Sequence, residues 1–293
     1  MYKFYLPPTR PELGWYFFIR DGLQDHPNTQ IVESPELADY IIVGLYSQFD
    51  LNSIDDPQRI IIVDYADVSA RIIPASNCFL YFKRSVFDKP TGNLFANQVI
   101  PIAFPMKKDF VLGRPRNIGK DRKFDLACFF ETSYADISWN KNRARVAEYL
   151  GNRFAKTKYK THFGHIGNTG NVGRSTIQSD YQRALCESKI VVTCNPDTWE
   201  GDHRLFEALS GGALVMVDEM KTPMQNPLIH KEHLIYYDLN DLDSLFDQCI
   251  YYLENEAQRL NIAARGFVHG FTHHSYVHRI QQIVTAIDNK RAS

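Results

Sequence analysis

Short runs of apolar residues alternate along the chain with stretches of helical periodicity. In the first hundred residues the apolar runs cover 2–6, 40–45, 59–63 and 78–82, and a helical stretch covers 15–23. Unbroken apolar runs of this length are typical of strands that are buried on both faces of a parallel sheet. Their alternation with helices predicts βα units, and therefore an α/β fold.

The same alternation returns in the second half. Strands are predicted at 124–130, 161–163, 190–193, 213–217 and 234–237, and helices at 139–150, 179–187, 203–209, 239–253, 257–267 and 275–289. Prolines and glycines break the charged stretch between the halves, which is typical of an interdomain linker. We therefore expect two Rossmann-like domains, at 1–110 and 120–275, and a C-terminal helix at 276–293 that packs back on the first. Their parallel sheets would face each other across a cleft, where ligands bind beyond the carboxyl ends of strands.

Composition and charge narrow the class of protein. The chain has 293 residues, 44% of them hydrophobic, which is enough for two cores. Its 33 basic and 34 acidic residues give a net charge of -1, so we expect no nucleic-acid partner. The five cysteines show no CxxC spacing and predict neither a disulfide scaffold nor a zinc site. With no signal-peptide pattern and no apolar run of 18 residues, we expect a cytoplasmic protein without a transmembrane segment.

The segment from 188 to 218 carries the strongest chemical signal. A buried strand is followed by a polar loop and by a helix that opens at Asp202, a favourable N-cap, and ends at Gly211-Gly212. A helix that begins at the carboxyl end of a strand can bind an anion through its free N–H groups. Arg204 adds a phosphate donor, and Glu207 can accept from two vicinal hydroxyls of a ribose. On spacing alone, an Arg204–Glu207 ion pair on the surface of an ordinary helix is equally possible.

This segment resembles the donor-binding signature of GT-B glycosyltransferases. It is especially similar to the exostosin-like and CgeB-like (group 1 glycosyl transferase) families, which share the pattern Asp202-x-Arg204-x-x-Glu207-Ala and the Gly-Gly stop. The tail, at 239–243, 261–266 and 273–279, is also similar, as are 34–43 and 81–84 in the first half. The resemblance implies a GT-B fold, a nucleoside diphosphate sugar as co-substrate, diphosphate contact by Arg204 and ribose contact by Glu207. Exostosin-like xylosyltransferases of large algal viruses are a similar group, which would place the protein in the host cytoplasm.

The resemblance also implies further donor contacts. Thr132 and Ser133 follow the predicted strand at 124–130, in the loop that approaches the diphosphate in GT-B enzymes, although the usual glycines are absent here. Arg143 resembles a family position that faces the donor, with a solvated arginine as the alternative. His165 ends the next strand, with an ordinary flexible loop as the alternative. The remaining expected donor contacts lie between the strand and the helix: Asn195, Trp199, Gly201, Asp202 and His203.

The family needs no Asp-x-Asp metal motif, because Arg204 and backbone amides neutralise the leaving diphosphate. The chain does contain Asp241-Leu-Asp243, but this lies at a predicted helix start, where capping is the expected role. We therefore expect no metal ion, and no cofactor other than the sugar nucleotide.

An inverting transferase needs a base to take the proton of the acceptor hydroxyl. In GT-B folds this group usually comes from the first domain, where Asp64 follows the apolar run 59–63 and is expected to face the cleft. A capping aspartate is the alternative, and the rival carboxylates are Asp21, Asp50 and Glu131. The residues expected to line the acceptor side are Arg10, Trp15 and Asp67.

These observations predict a glycosyltransferase. It would move a sugar from a nucleoside diphosphate sugar, with UDP-sugars such as UDP-xylose favoured, to a hydroxyl of an oligosaccharide or of a glycoprotein glycan. The predicted mechanism is inverting and metal-independent, with Asp64 as base and Arg204 stabilising the leaving group. Two alternatives stay open: a sugar-nucleotide epimerase of the same fold, and a non-catalytic protein that binds glycans or nucleotides.

Overall fold

The computed structural model describes residues 1–9, 14–44, 47, 50, 54–66, 78–86, 99–106, 122–130, 141–165, 181, 184–195, 201–220 and 224–293. The chain forms two compact units. The first contains Met1–Pro105, Thr222–Gln225 and Ser275–Ser293, and the second contains Met106–Lys221 and Asn226–His274.

A six-stranded parallel sheet forms the centre of the first unit. Its strands are β1 (Tyr2–Tyr5), β2 (Thr29–Val32), β3 (Tyr40–Gly44), β4 (Ile60–Asp64), β5 (Leu80–Lys83) and β6 (Val99–Pro101), in the order β2-β1-β3-β4-β5-β6. Helix α1 (Gly14–Asp25) precedes β2. Every residue of β3 and β4 is buried, as their unbroken apolar runs predicted. Pro35–Leu37 form a single 3-10 turn before β3, because the chain is already extended at Ala38.

A five-stranded parallel sheet forms the centre of the second unit. Its strands are β7 (Phe124–Phe130), β8 (Thr161–His165), β9 (Ser188–Val192), β10 (Leu214–Asp218) and β11 (Ile235–Tyr237), in the order β11-β10-β9-β7-β8. Its helices are α2 (Lys141–Phe154), α3 (His203–Ser210), α4 (Leu242–Glu254) and α5 (Glu256–His273). The prediction of two Rossmann-like α/β domains with parallel sheets is therefore confirmed.

The strand order of the second sheet reverses between β7 and β9. From β7 the chain moves outward to β8, then returns to the other side of β7 and continues outward through β10 and β11. Connections that leave two adjacent strands in opposite directions open a crevice at the carboxyl ends of those strands. The segment that follows β9 begins at this crevice.

Arg122 links the start of β9 to the residues that follow α3. Its guanidinium donates to the carbonyl oxygens of Ser188, at 2.8 Å, and of Gly211 and Gly212, at 3.0 and 2.7 Å. Burial lowers the pKa of Arg122 to about 10, which still leaves it charged at neutral pH. One side chain thus binds the start of β9 and the end of α3.

Helix α6 (Tyr276–Ala292) belongs to the first unit and packs on α1. Gly22 lets the two helices approach closely, because a Cβ atom there would lie 2.6 Å from Cγ1 of Ile280 and 2.8 Å from the carbonyl oxygen of Tyr276. The hydroxyl of Tyr276 donates to Asp25 at 2.7 Å. Among the described residues, no helix is both long and apolar enough to cross a membrane.

Candidate active site

The turn before α3 is built by Gly201 and Asp202. Gly201 has φ +111°, and a Cβ atom there would lie 2.2 Å from Cδ2 of Leu205, so only glycine fits. Asp202 is extended and its Oδ1 accepts from the backbone N–H of Leu205 at 3.1 Å. The predicted N-cap is therefore confirmed.

The second carboxylate oxygen of Asp202 accepts hydrogen bonds from two arginines. Oδ2 accepts from Nη2 of Arg143 at 2.9 Å and from Nη1 of Arg204 at 2.6 Å. Nε of Arg143 also donates to the carbonyl oxygen of Cys194, at 2.8 Å, so the arginine joins α2 to the end of β9 and the start of α3. All three charged side chains are buried. Two cations on one carboxylate, at the positive end of a helix, are an arrangement that favours an anion.

Arg204 remains charged although only 7% of it is exposed. Burial by itself would lower the pKa of Arg204, but the charge of Asp202, the phenol of Tyr181 and the charge of Glu207 outweigh burial and raise this pKa. The Nε atom of Arg204 is buried and makes no hydrogen bond to a described residue. Within the described residues, Nε is therefore a donor of this guanidinium that stays unused.

Glu207 lies one turn after Arg204 and is also buried. Its Oε2 accepts from the hydroxyl of Tyr181 at 2.6 Å. The ion pair of Arg204 is with Asp202, and neither Arg204 nor Glu207 is at the surface, so the alternative of a surface Arg204–Glu207 pair is wrong. A buried carboxylate held by a phenol is pre-oriented, which suits the predicted contact with vicinal hydroxyls.

Asn195 lies just after β9, and Asp218 is the last residue of the neighbouring strand β10. The backbone N–H of Asn195 donates to Oδ1 of Asp218 at 2.6 Å. Both polar atoms of the Asn195 amide are buried, and by strict geometry neither makes a hydrogen bond to a described residue. The side chain is nevertheless close enough to Asp218 to lower the pKa of that carboxyl, against the effect of burial.

The other predicted donor and acceptor residues differ in how much of them the structure describes. His203 is the first residue of α3 and is partly buried. His165 ends β8, and Trp15 lies in α1, but their side chains lie outside the described residues. The residues that lie wholly outside the description are Arg10, Asp67, Thr132, Ser133 and Trp199.

Asp64 ends β4, as predicted, but its carboxylate does not face an open space. The side chain is 0% exposed. It accepts from the hydroxyl of Tyr81 at 2.7 Å and from the N–H of Ala66 at 3.0 Å, and Nζ of Lys83 lies 3.5 Å away. The expectation of an accessible carboxylate here is corrected, because side chains of the adjacent strand β5 enclose it. The alternative of a capping aspartate stays open, because Asp64 accepts from the N–H two residues ahead and the residues after Ala66 lie outside the described part of the chain.

The rival carboxylates are less constrained. Asp21 pairs with Arg20 on α1, with 2.8 Å between Oδ1 and Nη2, and about a third of its side chain is exposed. Asp50 is exposed, and Glu131 lies outside the described residues.

The Asp-x-Asp sequence lies at the start of helix α4. Asp241 caps it by accepting from the N–H of Ser244 at 3.0 Å, which confirms the predicted role. Asp243 pairs with Arg153 at 2.6 Å. Among the described residues, no group of three or more His, Cys, Asp or Glu side chains could hold a metal ion, and all five cysteines are free thiols.

Sequence reasoning missed two residues of this site. Tyr181 carries no signal in the sequence, because its partner Glu207 lies 26 residues away. Asp218 comes directly after the predicted strand 213–217, at its carboxyl end. Because ligands of parallel sheets bind beyond the carboxyl ends of strands, this position alone was a signal for a site residue.

Comparison with known proteins decides the family. Residues 139–285, half of the chain, match the family model described as Glycosyl transferase-like. The chain belongs to this family. It is a glycosyltransferase, and the matched residues run from just before α2 into α6, so they include the arginine cluster, Asn195 and Asp218. No curated protein matches the glycosyltransferase significantly in sequence.

Solved structures extend the similarity to the whole glycosyltransferase chain. A glycosyltransferase from Rickettsia africae gives a TM-score of 0.62 at 9% identity, covering 99% of this chain and 98% of the other. An α-glucosyltransferase in complex with UDP-glucose and DNA gives 0.60 at 9% identity, covering 98% of both chains. Anabaena HepE in complex with UDP-glucose gives 0.52 at 11% identity, covering 99% and 100%. These likenesses show a shared GT-B fold.

TarM is a longer protein of similar fold. Its TM-score is 0.50 at 12% identity, and 80% of this chain is covered. The glycosyltransferase spans 56% of the length of TarM.

Proposed function

We propose that this glycosyltransferase moves a sugar from a UDP-sugar to a hydroxyl of a glycan. The observation that carries the donor assignment is the cluster in which Asp202 holds Arg143 and Arg204 at the start of α3. The cluster places two guanidinium groups beside a helix N-terminus, which suits a diphosphate. UDP is favoured because two proteins of similar fold were solved with UDP-glucose. The exostosin-like resemblance of residues 188–218 makes UDP-xylose the first donor to test.

In this proposal the donor lies across the crevice at the carboxyl ends of β7 and β9. Arg204 contacts the diphosphate through Nε, which has no hydrogen-bond partner among the described residues, and Arg143 supports it from α2. Glu207, oriented by Tyr181, accepts from the ribose hydroxyls. Gly201, Asp202 and His203 form the turn that brings the backbone close to the phosphates.

The reaction is a displacement at the anomeric carbon of the donor sugar. The acceptor oxygen forms a bond to that carbon while the bond from the carbon to the diphosphate oxygen breaks. UDP leaves with the bonding electrons, and the acceptor proton passes to a base. Arg204 and Arg143 stabilise the charge that grows on the leaving diphosphate, which supports a metal-independent mechanism. Inversion of the anomeric centre is part of the same proposal.

The base is a separate question. A general base must come within hydrogen-bond reach of the proton it takes. The carboxylate of Asp64 is fully enclosed by Tyr81, Lys83 and the chain after β4, so Asp64 as base requires these groups to move.

A binding panel tests the donor assignment. We expect UDP-xylose or UDP-glucose, but neither GDP-mannose nor CMP-sialic acid, to raise the melting temperature, and the rise to persist in EDTA. Arg204→Ala should abolish the rise. Arg145→Ala is the matched control, since Arg145 lies on α2 two residues from Arg143 but is exposed. A panel without any response contradicts the proposed function, and a response that EDTA removes contradicts metal independence.

A transfer assay tests the reaction. Radiolabelled donor is incubated with oligosaccharides, with a glycoprotein and with duplex DNA, and we expect label in a glycan. Label in DNA would overturn the expectation of no nucleic-acid partner. Release of a 2-epimer or of free UDP without any acceptor would instead favour the epimerase.

A further inference from the structure

A cavity of about 470 Å³ lies at the outer edge of the second unit. Its volume is within the range of roughly 300–1,000 Å³ that is typical of small-molecule sites. Helices α4 and α5 and the chain around strand β11 supply its described lining, which includes His230, Lys231, Tyr236, Gln248, Tyr251 and Gln258. None of these residues belongs to the candidate active site, so the cavity needs an explanation of its own.

The cavity lies away from the donor crevice. β11 is the outermost strand of the second sheet, and β10 separates it from β9. His230 forms an isolated parallel bridge with Leu234, just before β11 begins, so the cavity lies at the amino end of this strand. The crevice lies beyond the carboxyl ends of β7 and β9, which is the opposite end of a parallel sheet. A ligand in the cavity would therefore be separate from the donor.

Four rings contribute to the lining of the cavity. The rings of His230 and Tyr236 are parallel to within 8°, with 6.0 Å between their centroids. Those of Tyr251 and Tyr252 meet edge to face at 5.1 Å, and Tyr251 is 44% exposed. Tyrosine offers a ligand a flat and rigid apolar surface at a low cost in side-chain entropy. The C–H faces of a sugar ring suit such a surface.

Two glutamine amides in the lining have complementary hydrogen-bonding groups. The hydroxyl of Tyr251 donates to Oε1 of Gln258 at 2.9 Å, which leaves the N–H groups of the Gln258 amide for another acceptor. Nε2 of Gln248 donates to Oγ of Ser244 at 3.2 Å, which leaves Oε1 of Gln248 for another donor. A sugar hydroxyl both donates and accepts hydrogen bonds, so a saccharide offers partners to both amides.

The described lining of the cavity carries little charge. Lys231 is charged, but burial and the charge of Lys231 lower the pKa of His230 below its ordinary value of 6.5, so His230 is neutral at neutral pH. A diphosphate favours several cations or a helix N-terminus, as at the arginine cluster. Lys231 has φ +62°, and non-glycine residues in this conformation are uncommon and cluster at ligand sites. These features favour a neutral saccharide over a nucleotide.

We propose that this cavity binds a neutral saccharide unit of the acceptor glycan, outside the reaction site. The inference rests on the proposed function for the role of the glycan as acceptor, whereas saccharide binding itself rests on the rings and the amides. A glycan bound at a second place has a higher effective concentration at the reaction site. The cavity would thereby favour long acceptors over short ones.

Oligosaccharide binding in the absence of donor tests this inference. Calorimetry with maltohexaose, xylohexaose and chitohexaose gives dissociation constants for the wild type, Tyr251→Ala and Gln258→Ala. We expect the wild type to bind at least one of the three. The dissociation constant should rise about tenfold in Tyr251→Ala and about threefold or more in Gln258→Ala, since a ring contact and a hydrogen bond are lost. Both side chains are exposed, and melting curves check that the variants fold.

Controls separate this site from the donor site. Phe271→Ala removes another exposed aromatic side chain, near the end of α5, and should leave oligosaccharide binding unchanged. Arg204→Ala should abolish UDP-sugar binding and leave oligosaccharide binding unchanged, and Tyr251→Ala should do the reverse. A wild type that binds none of the three oligosaccharides, or a Tyr251→Ala variant that binds them as tightly as the wild type, would overturn the inference. A wild type that binds an oligosaccharide but no UDP-sugar would overturn the proposed function instead.

Discussion

Arg143 donates to Asp202 from 59 residues earlier in the chain, with 2.9 Å between Nη2 and Oδ2. Asp202 thereby has two tasks, because its other oxygen caps α3. Asp202 therefore holds both arginine side chains in place before a donor binds. Binding then loses little side-chain conformational entropy.

Asp202→Ala should lower the free energy of unfolding by far more than the loss of an N-cap alone would. Asp202→Ala removes the cap and leaves two buried guanidinium groups without their carboxylate, and we expect a loss of about 3 kcal/mol or more in the free energy of unfolding. Asp241→Ala is the matched control, since Asp241 caps an equivalent helix start but is exposed. There the loss should be about 1 kcal/mol. Urea denaturation measures both, and equal losses would show that the arginines do not depend on Asp202.

Two glycine substitutions should act in opposite directions. At Gly201 a Cβ meets Leu205 and the backbone has positive φ, so Gly201→Ala should destabilise by about 2 kcal/mol or more and weaken donor binding. At Gly151, within α2, a Cβ meets nothing within 4 Å. Gly151→Ala should stabilise by about 0.5–1 kcal/mol through helix propensity. Thermal melts of the two variants check this, and a stable Gly201→Ala would refute the account of the turn.

Asp64 and Tyr81 provide a test of the base. Asp64→Asn keeps the shape but removes the negative charge 3.5 Å from Nζ of Lys83, and Tyr81→Phe removes the phenol hydroxyl that donates to Asp64. If the carboxylate is structural, as its enclosure indicates, Tyr81→Phe loses about 1–3 kcal/mol of stability, Asp64→Asn loses about 3 kcal/mol or more, and both keep kcat within about tenfold. A base role predicts instead that Asp64→Asn loses kcat by about a hundredfold or more while Tyr81→Phe does not. Steady-state kinetics beside melting curves distinguish the two results.

The raised pKa of Asp218 predicts a pH dependence of stability. An unfolded aspartate titrates near its ordinary value of 3.8, whereas burial raises the pKa of folded Asp218 to about 7. Between these values the folded state binds the extra proton, so its stability falls as the pH rises from about 4 to about 7. The loss relative to Asp218→Asn should reach a few kcal/mol, on the order of 1.4 per unit of pKa. Urea midpoints at pH 5, 6, 7 and 8 measure it, and parallel profiles for the two proteins would contradict it.

The sequence predicts features that depend on local pattern. The apolar runs predicted both parallel sheets, and Asp202 marked the start of α3 because capping needs only a few neighbouring residues. The partners of Asp64 and Glu207 could not be predicted in this way. Tyr81 and Tyr181 approach them through strand pairing and tertiary packing, and no local periodicity records which polar side chain faces which.

The packing of α6 on α1 has a consequence for biosynthesis. The ribosome completes the six strands of the first unit long before it makes residues 276–292, whose Ile280, Ile283 and Ile287 are buried in that unit. The nascent first unit therefore leaves the exit tunnel with an uncovered apolar face, while the second unit has its whole sequence available by His274. Chaperones have their longest opportunity to bind the half of the protein that is translated first.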